Sequence, residues 1–114
     1  MRQPNGQNFL TDINIAKKIV DAAGILPGDK LLEIGPGKGI LTGIIAPRAK
    51  SFKALEIDRK LIPNLKERFQ TFLNTEIIHT DFLDYPFASE PGPFKIISNL
   101  PYNVSTAVIE KILP

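Results

Sequence analysis

The strongest indication of a fold class in this 114-residue chain is the segment Leu31-Leu32-Glu33-Ile34-Gly35-Pro36-Gly37-Lys38-Gly39. An apolar run ends in an acid and three alternating glycines, and apolar residues at helical spacing follow from Ile40 to Ile45. This order is typical of a strand, a glycine loop and a helix, in which glycines allow a sharp turn and a close approach of the backbone to a ligand. The stretch therefore predicts the first unit of a nucleotide-binding α/β domain.

A second acid supports a bound nucleoside. The next predicted strand carries Glu56, which lies 21 residues after Gly35, the spacing expected for a carboxylate that accepts hydrogen bonds from ribose hydroxyls. The glycines are spaced G-x-G-x-G, whereas a dinucleotide fingerprint reads G-x-G-x-x-G and places a pyrophosphate at the helix N-terminus. The spacing favours a nucleoside without a pyrophosphate, such as S-adenosylmethionine. A tight turn that binds nothing stays open as an alternative for the glycines alone.

The tetrapeptide Asn99-Leu100-Pro101-Tyr102 follows another apolar run and indicates the kind of reaction that the site carries out. A side-chain amide, a backbone carbonyl and an aromatic face are the groups needed to hold a planar base whose exocyclic amine is methylated. Such an amine needs orientation more than it needs a strong base, so that catalysis is mostly positioning. Tyr102 is also compatible with a core aromatic, and Pro101 with a simple strand end.

The remaining pattern predicts alternating strands and helices, and therefore an α/β domain. We expect a parallel sheet ordered 3-2-1-4 with helices on both faces. The candidate residues Gly35, Glu56, Asp81 and Asn99 then lie at one edge, where open α/β sheets bind ligands. The predicted strands are 30–34, 51–57, 76–79 and 94–98, and the predicted helices after the first strand are 40–46, 59–72 and 105–113. A first helix presents the apolar face Ile15, Ala16, Ile19, Val20 and Ala23.

The chain resembles the N-terminal part of the ribosomal RNA adenine dimethyltransferases, which include the erythromycin-resistance methyltransferases. Five sequence blocks carry the resemblance, of which the last is the weakest: residues 6–10, 33–42, 55–58, 99–106 and 81–83. They run from near the first residue to near the last. The resemblance implies a Rossmann-like methyltransferase fold and S-adenosylmethionine as the cofactor.

The resemblance also implies a role for individual residues. Asn99, Leu100, Pro101 and Tyr102 would form the catalytic tetrapeptide, with Asn99 facing both the cofactor and the target amine. Seven further residues are implied to bind the cofactor. Asn8 and Leu10 would close over it, and Gly35 and Gly37 would lie beside its methionine part. Glu56 would hold its ribose, and Asp81 with Phe82 would lie at its adenine.

The implied function is methyl transfer from S-adenosylmethionine to the exocyclic amine of adenine in ribosomal RNA, giving dimethyladenosine. The family's proteins are longer, so we expect residues 1–114 to be a truncated cofactor-binding domain that lacks further strands and a helical RNA-binding domain. Ribosomal RNA or the small ribosomal subunit is then the expected partner, held weakly or not at all. Two alternatives stay open: a cofactor-binding fragment without activity, and a nicotinamide-dependent oxidoreductase domain, which the tetrapeptide argues against.

Truncation after strand four predicts a bare apolar edge, and hence self-association through that strand. The composition adds little else, since a net charge of +2 is compatible with an ordinary mixed surface. The chain has no cysteine, its apolar runs are too short to span a bilayer and its N-terminus shows no secretion signal, so we expect a cytoplasmic protein with no membrane partner. The single histidine, His79, has no cluster of partners in the sequence, and we predict no metal site.

Overall fold

The computed structural model describes residues 13–98 in full and the backbone of residues 99 and 106–111. The α-helices of these residues are α1 (Ile13–Ala23), α2 (Ile40–Ile45) and α3 (Ile62–Phe69). The strands are β1 (Lys30–Ile34), β2 (Ser51–Glu56), β3 (Thr75–His79), β4 (Phe94–Asn99) and β5 (Thr106–Lys111). Short 3-10 helices span Arg59–Leu61, Phe82–Asp84 and Phe87–Ser89.

The strands form one sheet in the order β3-β2-β1-β4-β5. β1 pairs in parallel with both β2 and β4, and β2 pairs in parallel with β3, which confirms the predicted order 3-2-1-4. Helical crossovers join these strands, as parallel pairing requires. The α/β fold class predicted from the sequence is therefore confirmed.

The predicted last helix, residues 105–113, is wrong. Residues 106–111 form β5, which pairs antiparallel with β4 from Asn99 opposite Thr106 to Phe94 opposite Lys111. The segment Thr-Ala-Val-Ile-Glu-Lys is short and rich in β-branched residues, and such a run fits a strand as well as a helix until tertiary pairing decides. Because β5 covers β4, the predicted bare edge is also wrong, and self-association through that edge loses its physical basis.

The main core lies between one face of the sheet and the three α-helices. Leu31, Phe52 and Ile97 line this face and are fully buried. Helix α1 contributes Ala16, Val20 and Ala23, α2 contributes Leu41 and Ile45, and α3 contributes Ile62, Leu65 and Phe69. These spacings of three and four residues are the apolar stripes expected for helices that cover a sheet.

The opposite face is covered differently. Leu32, Phe94 and Ile96 are buried there against Tyr85 and Phe87. Helices thus lie on both faces, as predicted, but within the described part of the chain those on the second face are 3-10 turns of the connection between β3 and β4. None of the helices in that part is both long and apolar enough to cross a membrane.

A buried carboxylate fastens this connection to the sheet. Glu90 is 4% exposed and forms ion pairs with Lys30 at 2.6 Å and with Lys53 at 3.1 Å, and it accepts a hydrogen bond from the Tyr85 hydroxyl. Burial would raise the pKa of Glu90, but the hydrogen bonds from Lys30, Tyr85 and Lys53 outweigh it and lower the pKa to about 2. Glu90 therefore links β1 and β2 to the connection as a charged group.

Candidate functional site

The tips of four parallel strands meet at the carboxyl edge of the sheet. Ile34 of β1 pairs with Leu55 of β2 and with Ser98 of β4, and Glu56 pairs with His79 of β3. The strand ends are thus level to within about one residue. Neighbouring strands lie about 4.8 Å apart, so the β3 tip and the β4 tip are separated by roughly 14 Å. The edge has room for an extended ligand that lies across the strand ends.

In the glycine loop between β1 and α2, the amides of the three glycines donate hydrogen bonds within the protein. Gly35, Gly37 and Gly39 have φ values of 72°, 58° and 86°, in the left-handed region. The amide of Gly35 donates to the Leu55 carbonyl, that of Gly37 to the Glu56 carboxylate and that of Gly39 to the Pro36 carbonyl. Contacts within the protein therefore set the shape of the loop.

Glu56, at the tip of β2, joins two backbone segments. It is 5% exposed, its Oε1 accepts a hydrogen bond from the Gly37 amide at 2.9 Å, and its Oε2 accepts one from the Asp58 amide at 2.9 Å. A carboxylate offers about four acceptor positions, so two remain for hydroxyl donors. The side chain is thus fixed in place and still able to accept further hydrogen bonds.

Glu33, at the end of β1, is a second buried acid beneath the loop. It is 1% exposed, and the Thr42 hydroxyl of α2 donates to its Oε1 at 2.6 Å. Burial raises the pKa of Glu33 to about 8, the nearby charge of Glu56 acts in the same direction, and the Thr42 hydrogen bond opposes both. At neutral pH Glu33 is mostly protonated, whereas Glu56 is held by two amide donors.

Asp81 follows β3 and starts the 3-10 helix Phe82–Asp84. Its Oδ1 accepts a hydrogen bond from the Leu83 amide at 3.0 Å, and Oδ2 takes no part in that cap. Phe82 and Leu83 beside it are exposed large apolar side chains, as is Ile57 next to Glu56. The tips of β2 and β3 therefore combine carboxylates with exposed apolar side chains, a surface suited to a planar ring that carries an amine.

Asn99 is the last residue of β4, and its backbone pairs with Thr106 of β5. The structure therefore brings Gly35, Gly37, Glu56, Asp81 and the Asn99 backbone to one edge, as the sequence predicted. The predicted site residues Asn8, Leu10, Leu100, Pro101 and Tyr102 lie outside the described residues.

Sequence reasoning missed several residues that build this edge. Thr42 holds Glu33, and Asp58 caps the 3-10 helix after β2 by accepting from the Lys60 amide.

His79 Nε2 lies 3.1 Å from the Ile57 carbonyl and links the tips of β3 and β2. The Ser98 hydroxyl oxygen, next to Asn99, is buried and has no hydrogen-bond partner among the described residues. Only Asp58 had a signal in the sequence, because an aspartate directly before a helical run is a common cap.

The described residues hold no group of three or more His, Cys, Asp or Glu side chains placed to bind a metal. What they do offer are carboxylate acceptors, shaped backbone and exposed apolar side chains. Such an edge can hold and orient a nucleoside.

Solved structures define the class of fold. The 23S rRNA methyltransferase ErmE matches with a TM-score of 0.73 and 35% identity over 80% of this chain and 36% of its own. A dimethyladenosine transferase from Plasmodium falciparum matches with a TM-score of 0.72 and 33% identity over 86% of this chain and 35% of its own. An RNA methyltransferase from Salinibacter ruber in complex with S-adenosyl-L-homocysteine, at 14% identity and a TM-score of 0.65, shares the fold. The class is that of the Rossmann-like methyltransferases.

The family is equally clear from sequence. The profile of the family described as ribosomal RNA adenine dimethylase matches residues 1–114, so the chain belongs to that family. The ribosomal RNA small subunit methyltransferase A of Alkaliphilus metalliredigens is 46% identical over 95% of this chain and 40% of its own length. That of Ligilactobacillus salivarius is 44% identical over 95% of this chain and 39% of its own length. The chain thus spans about two-fifths of the curated relatives it matches, and the resemblance read from the sequence blocks is confirmed.

Proposed function

We propose that this chain binds S-adenosylmethionine at the carboxyl edge of its sheet and acts in methyl transfer to the exocyclic amine of adenine in ribosomal RNA, giving dimethyladenosine. Family membership and the names of the relatives support the proposal. The observation that carries it is Glu56, a buried carboxylate fixed by the Gly37 and Asp58 amides at the tip of β2.

The cofactor-binding residues that we propose lie at the strand tips, in the glycine loop and in the N-terminal segment. Glu56 would accept hydrogen bonds from the ribose hydroxyls of the cofactor with its remaining lone pairs. Asp81 Oδ2 would accept one from the amine of the cofactor's own adenine, beside Phe82. Gly35 and Gly37 would let the loop backbone approach the methionine part. From the N-terminal segment, Asn8 and Leu10 would close over the ligand.

The glycine loop argues against a nicotinamide dinucleotide. A pyrophosphate is held by free backbone amides of the glycine loop as well as by the start of the helix that follows it. Here the Gly35, Gly37 and Gly39 amides already donate within the protein, and the Gly37 amide donates to a carboxylate that would repel an anion. S-adenosylmethionine has no pyrophosphate and carries a sulfonium and an ammonium group besides its one carboxylate, so it meets less of this repulsion.

We propose that the tetrapeptide Asn99-Leu100-Pro101-Tyr102 orients the target base. When bound, S-adenosylmethionine supplies an activated methyl group. The Asn99 side-chain oxygen and a backbone carbonyl near Leu100 or Pro101 would accept hydrogen bonds from the adenine amine and so direct its lone pair, while Tyr102 would stack on the extruded ring. Base–aromatic stacking of this kind contributes about 1–3 kcal/mol.

We propose ribosomal RNA of the small subunit as the partner, because the curated relatives are named for it. A cytoplasmic setting follows from that substrate. Residues 1–114 would be the S-adenosylmethionine-binding domain of this activity.

A second candidate is cofactor binding without methyl transfer by these 114 residues. It is favoured by one observation, that they correspond to about 40% of the length of the relatives. The two candidates share the cofactor site and differ only in the reaction.

Transfer of labelled methyl groups from S-adenosylmethionine to small-subunit ribosomal RNA separates these candidates. We expect label on adenine with the unmutated chain, no transfer with Asn99→Ala, and unchanged transfer with the matched surface variant Asn64→Ala. Cofactor binding without any transfer would select the second candidate. Transfer by Asn99→Ala at the unmutated rate would contradict the assigned role of Asn99.

A further inference from the structure

A cation on α3 contacts the glycine loop from outside the strand-loop-helix unit. Arg68 Nη1 donates a hydrogen bond to the backbone carbonyl of Lys38, which lies between Gly37 and Gly39. The guanidinium carbon of Arg68 also lies 5.0 Å from the centroid of the Phe69 ring, a distance typical of a cation–π contact. The guanidinium is therefore held over its own helix and aimed at the loop.

The fit between Arg68 and the loop depends on a glycine. A Cβ placed on Gly39 would lie 2.9 Å from Arg68 Nη1, 3.1 Å from a Phe69 ring carbon and 3.2 Å from a Leu65 methyl carbon. Real Cβ atoms essentially never approach as closely as the first distance, and the other two are tighter than most real Cβ contacts, so α3 packs closely on the backbone of the loop. The absence of a side chain at position 39 is what lets the guanidinium reach the Lys38 carbonyl.

Two charged side chains thus hold successive residues of the loop. The Glu56 carboxylate accepts from the Gly37 amide, and the Arg68 guanidinium donates to the Lys38 carbonyl. One contact fixes the peptide plane before Gly37, and the other fixes the plane before Gly39. Hydrogen bonds with a charged partner are stronger than neutral ones, so the loop conformation is set from both sides.

We propose that Arg68 is a positioning residue for the cofactor: by holding the Lys38 carbonyl, it keeps the glycine loop in the shape that receives the methionine part of S-adenosylmethionine. The inference rests on the proposed function. Arg68 acts through the loop and touches neither ligand nor substrate. A loop that is ordered in advance loses less conformational entropy on binding, which raises affinity for the part of the ligand that the loop contacts.

The test compares two ligands, because a positioning role and a general structural role affect them differently. S-adenosylhomocysteine carries the amino-acid part that the loop would receive, and adenosine lacks it. Calorimetric titration of both ligands is made with the unmutated chain, Arg68→Met, Arg68→Lys and the control Lys66→Met. The control removes one exposed positive charge from the same helix.

We expect Arg68→Met to weaken S-adenosylhomocysteine binding about five- to tenfold, the equivalent of one net hydrogen bond, and to change adenosine binding less than about twofold. Arg68→Lys keeps a charge and a donor and should lose less, and Lys66→Met should change neither affinity. An equal effect of Arg68→Met on both ligands, or no effect on either, would overturn the inference alone. If the unmutated chain bound neither ligand, the proposed function would fall as well.

Discussion

Two glutamates at the ends of neighbouring strands have opposite electrostatic surroundings. Glu56 accepts two backbone amide hydrogen bonds, whereas Glu33 is buried with one hydroxyl donor and a raised pKa of about 8. A carboxyl that is buried without a cation takes its neutral form, because desolvation penalises the charge. The edge therefore holds one buried carboxylate that two amides fix in place and, on the neighbouring strand, one mostly neutral carboxyl group.

The raised pKa of Glu33 predicts a loss of stability as the pH rises. The unfolded chain releases this proton near the ordinary value of 4.5, and the folded chain keeps it to about 8. Between these values the folded state binds more protons, so the free energy of unfolding falls with rising pH, by at most about 1.4 kcal/mol per pH unit for this group.

Glu33→Gln should remove that dependence, because the neutral amide has no proton to lose and its oxygen can still accept from Thr42. We expect the stability of the variant relative to the unmutated chain to increase from pH 5 to pH 8 in urea denaturation. Glu76→Gln, an exposed acid on β3, serves as the control and should show no such trend. Parallel stability profiles for Glu33→Gln and the unmutated chain would show that Glu33 is ionised in the folded protein.

At this scale the sequence could predict some residues and not others. The position of Glu56 follows from strand length and from its distance to the glycines, which are local properties. Arg68 lies 30 residues beyond Lys38, and its contact depends on how α3 packs over the loop. Nothing in the local pattern of α3 distinguishes Arg68 from its neighbour Lys66.

At the scale of elements, the seam between the glycine loop and α3 is unusually close. Gly39 has a φ of 86°, and a Cβ there would lie 2.9 Å from Arg68 Nη1 and 3.1 Å from the Phe69 ring. A Cβ on Gly43, in the next turn of α2, would lie 3.8 Å from the Phe69 ring, an ordinary contact distance. The two glycines therefore have different reasons to be present, although they are four residues apart.

Adding one methyl group at each glycine tests this seam. Gly39→Ala should destabilise the chain by roughly 1–3 kcal/mol, since a left-handed backbone and a collision act together. Gly43→Ala should stabilise it by about 0.5–1 kcal/mol, as alanine usually does in a helix interior. Both changes in the free energy of unfolding are to be measured by denaturant unfolding. Similar effects of the two substitutions would contradict the packing described for α3.

The connection between β3 and β4 is held to the sheet by the buried carboxylate of Glu90. Glu90→Gln leaves Lys30 and Lys53 without a counter-charge, which should destabilise the fold by roughly 3 kcal/mol at pH 7, the lower end for a broken buried pair because both lysines are partly exposed. Glu67→Gln on the surface of α3 is the matched control.

The pH dependence of this effect has the opposite sign to that of Glu33. The pKa of Glu90 is lowered from 4.5 to about 2, so its contribution is present above 4.5 and is lost as the pH falls towards 2. The stability difference between Glu90→Gln and the unmutated chain should therefore narrow over that range. A constant difference from pH 7 to pH 2 would show that the carboxylate charge is not what holds the connection.

For the whole molecule, the sheet order and the edge that carries the candidate site could be predicted because alternating strands and helices with right-handed crossovers leave few topologies. The secondary structure of residues 106–111 could not be predicted. Residues 106–111 fit helix and strand patterns equally well, and pairing with β4 decides between them. The difference matters for partners, because a paired β4 offers no free edge to a second chain.

The most direct measurement is calorimetric titration of the 114-residue chain with S-adenosylmethionine and, separately, with NAD, each repeated with Glu56→Gln. We predict saturable binding of one S-adenosylmethionine per chain and none of NAD. Glu56→Gln should weaken that binding about 10- to 100-fold, the equivalent of one hydrogen bond to a charged group. Absence of S-adenosylmethionine binding, or NAD binding of similar strength, would contradict the assignment of the carboxyl edge as a pocket for a sulfonium nucleoside.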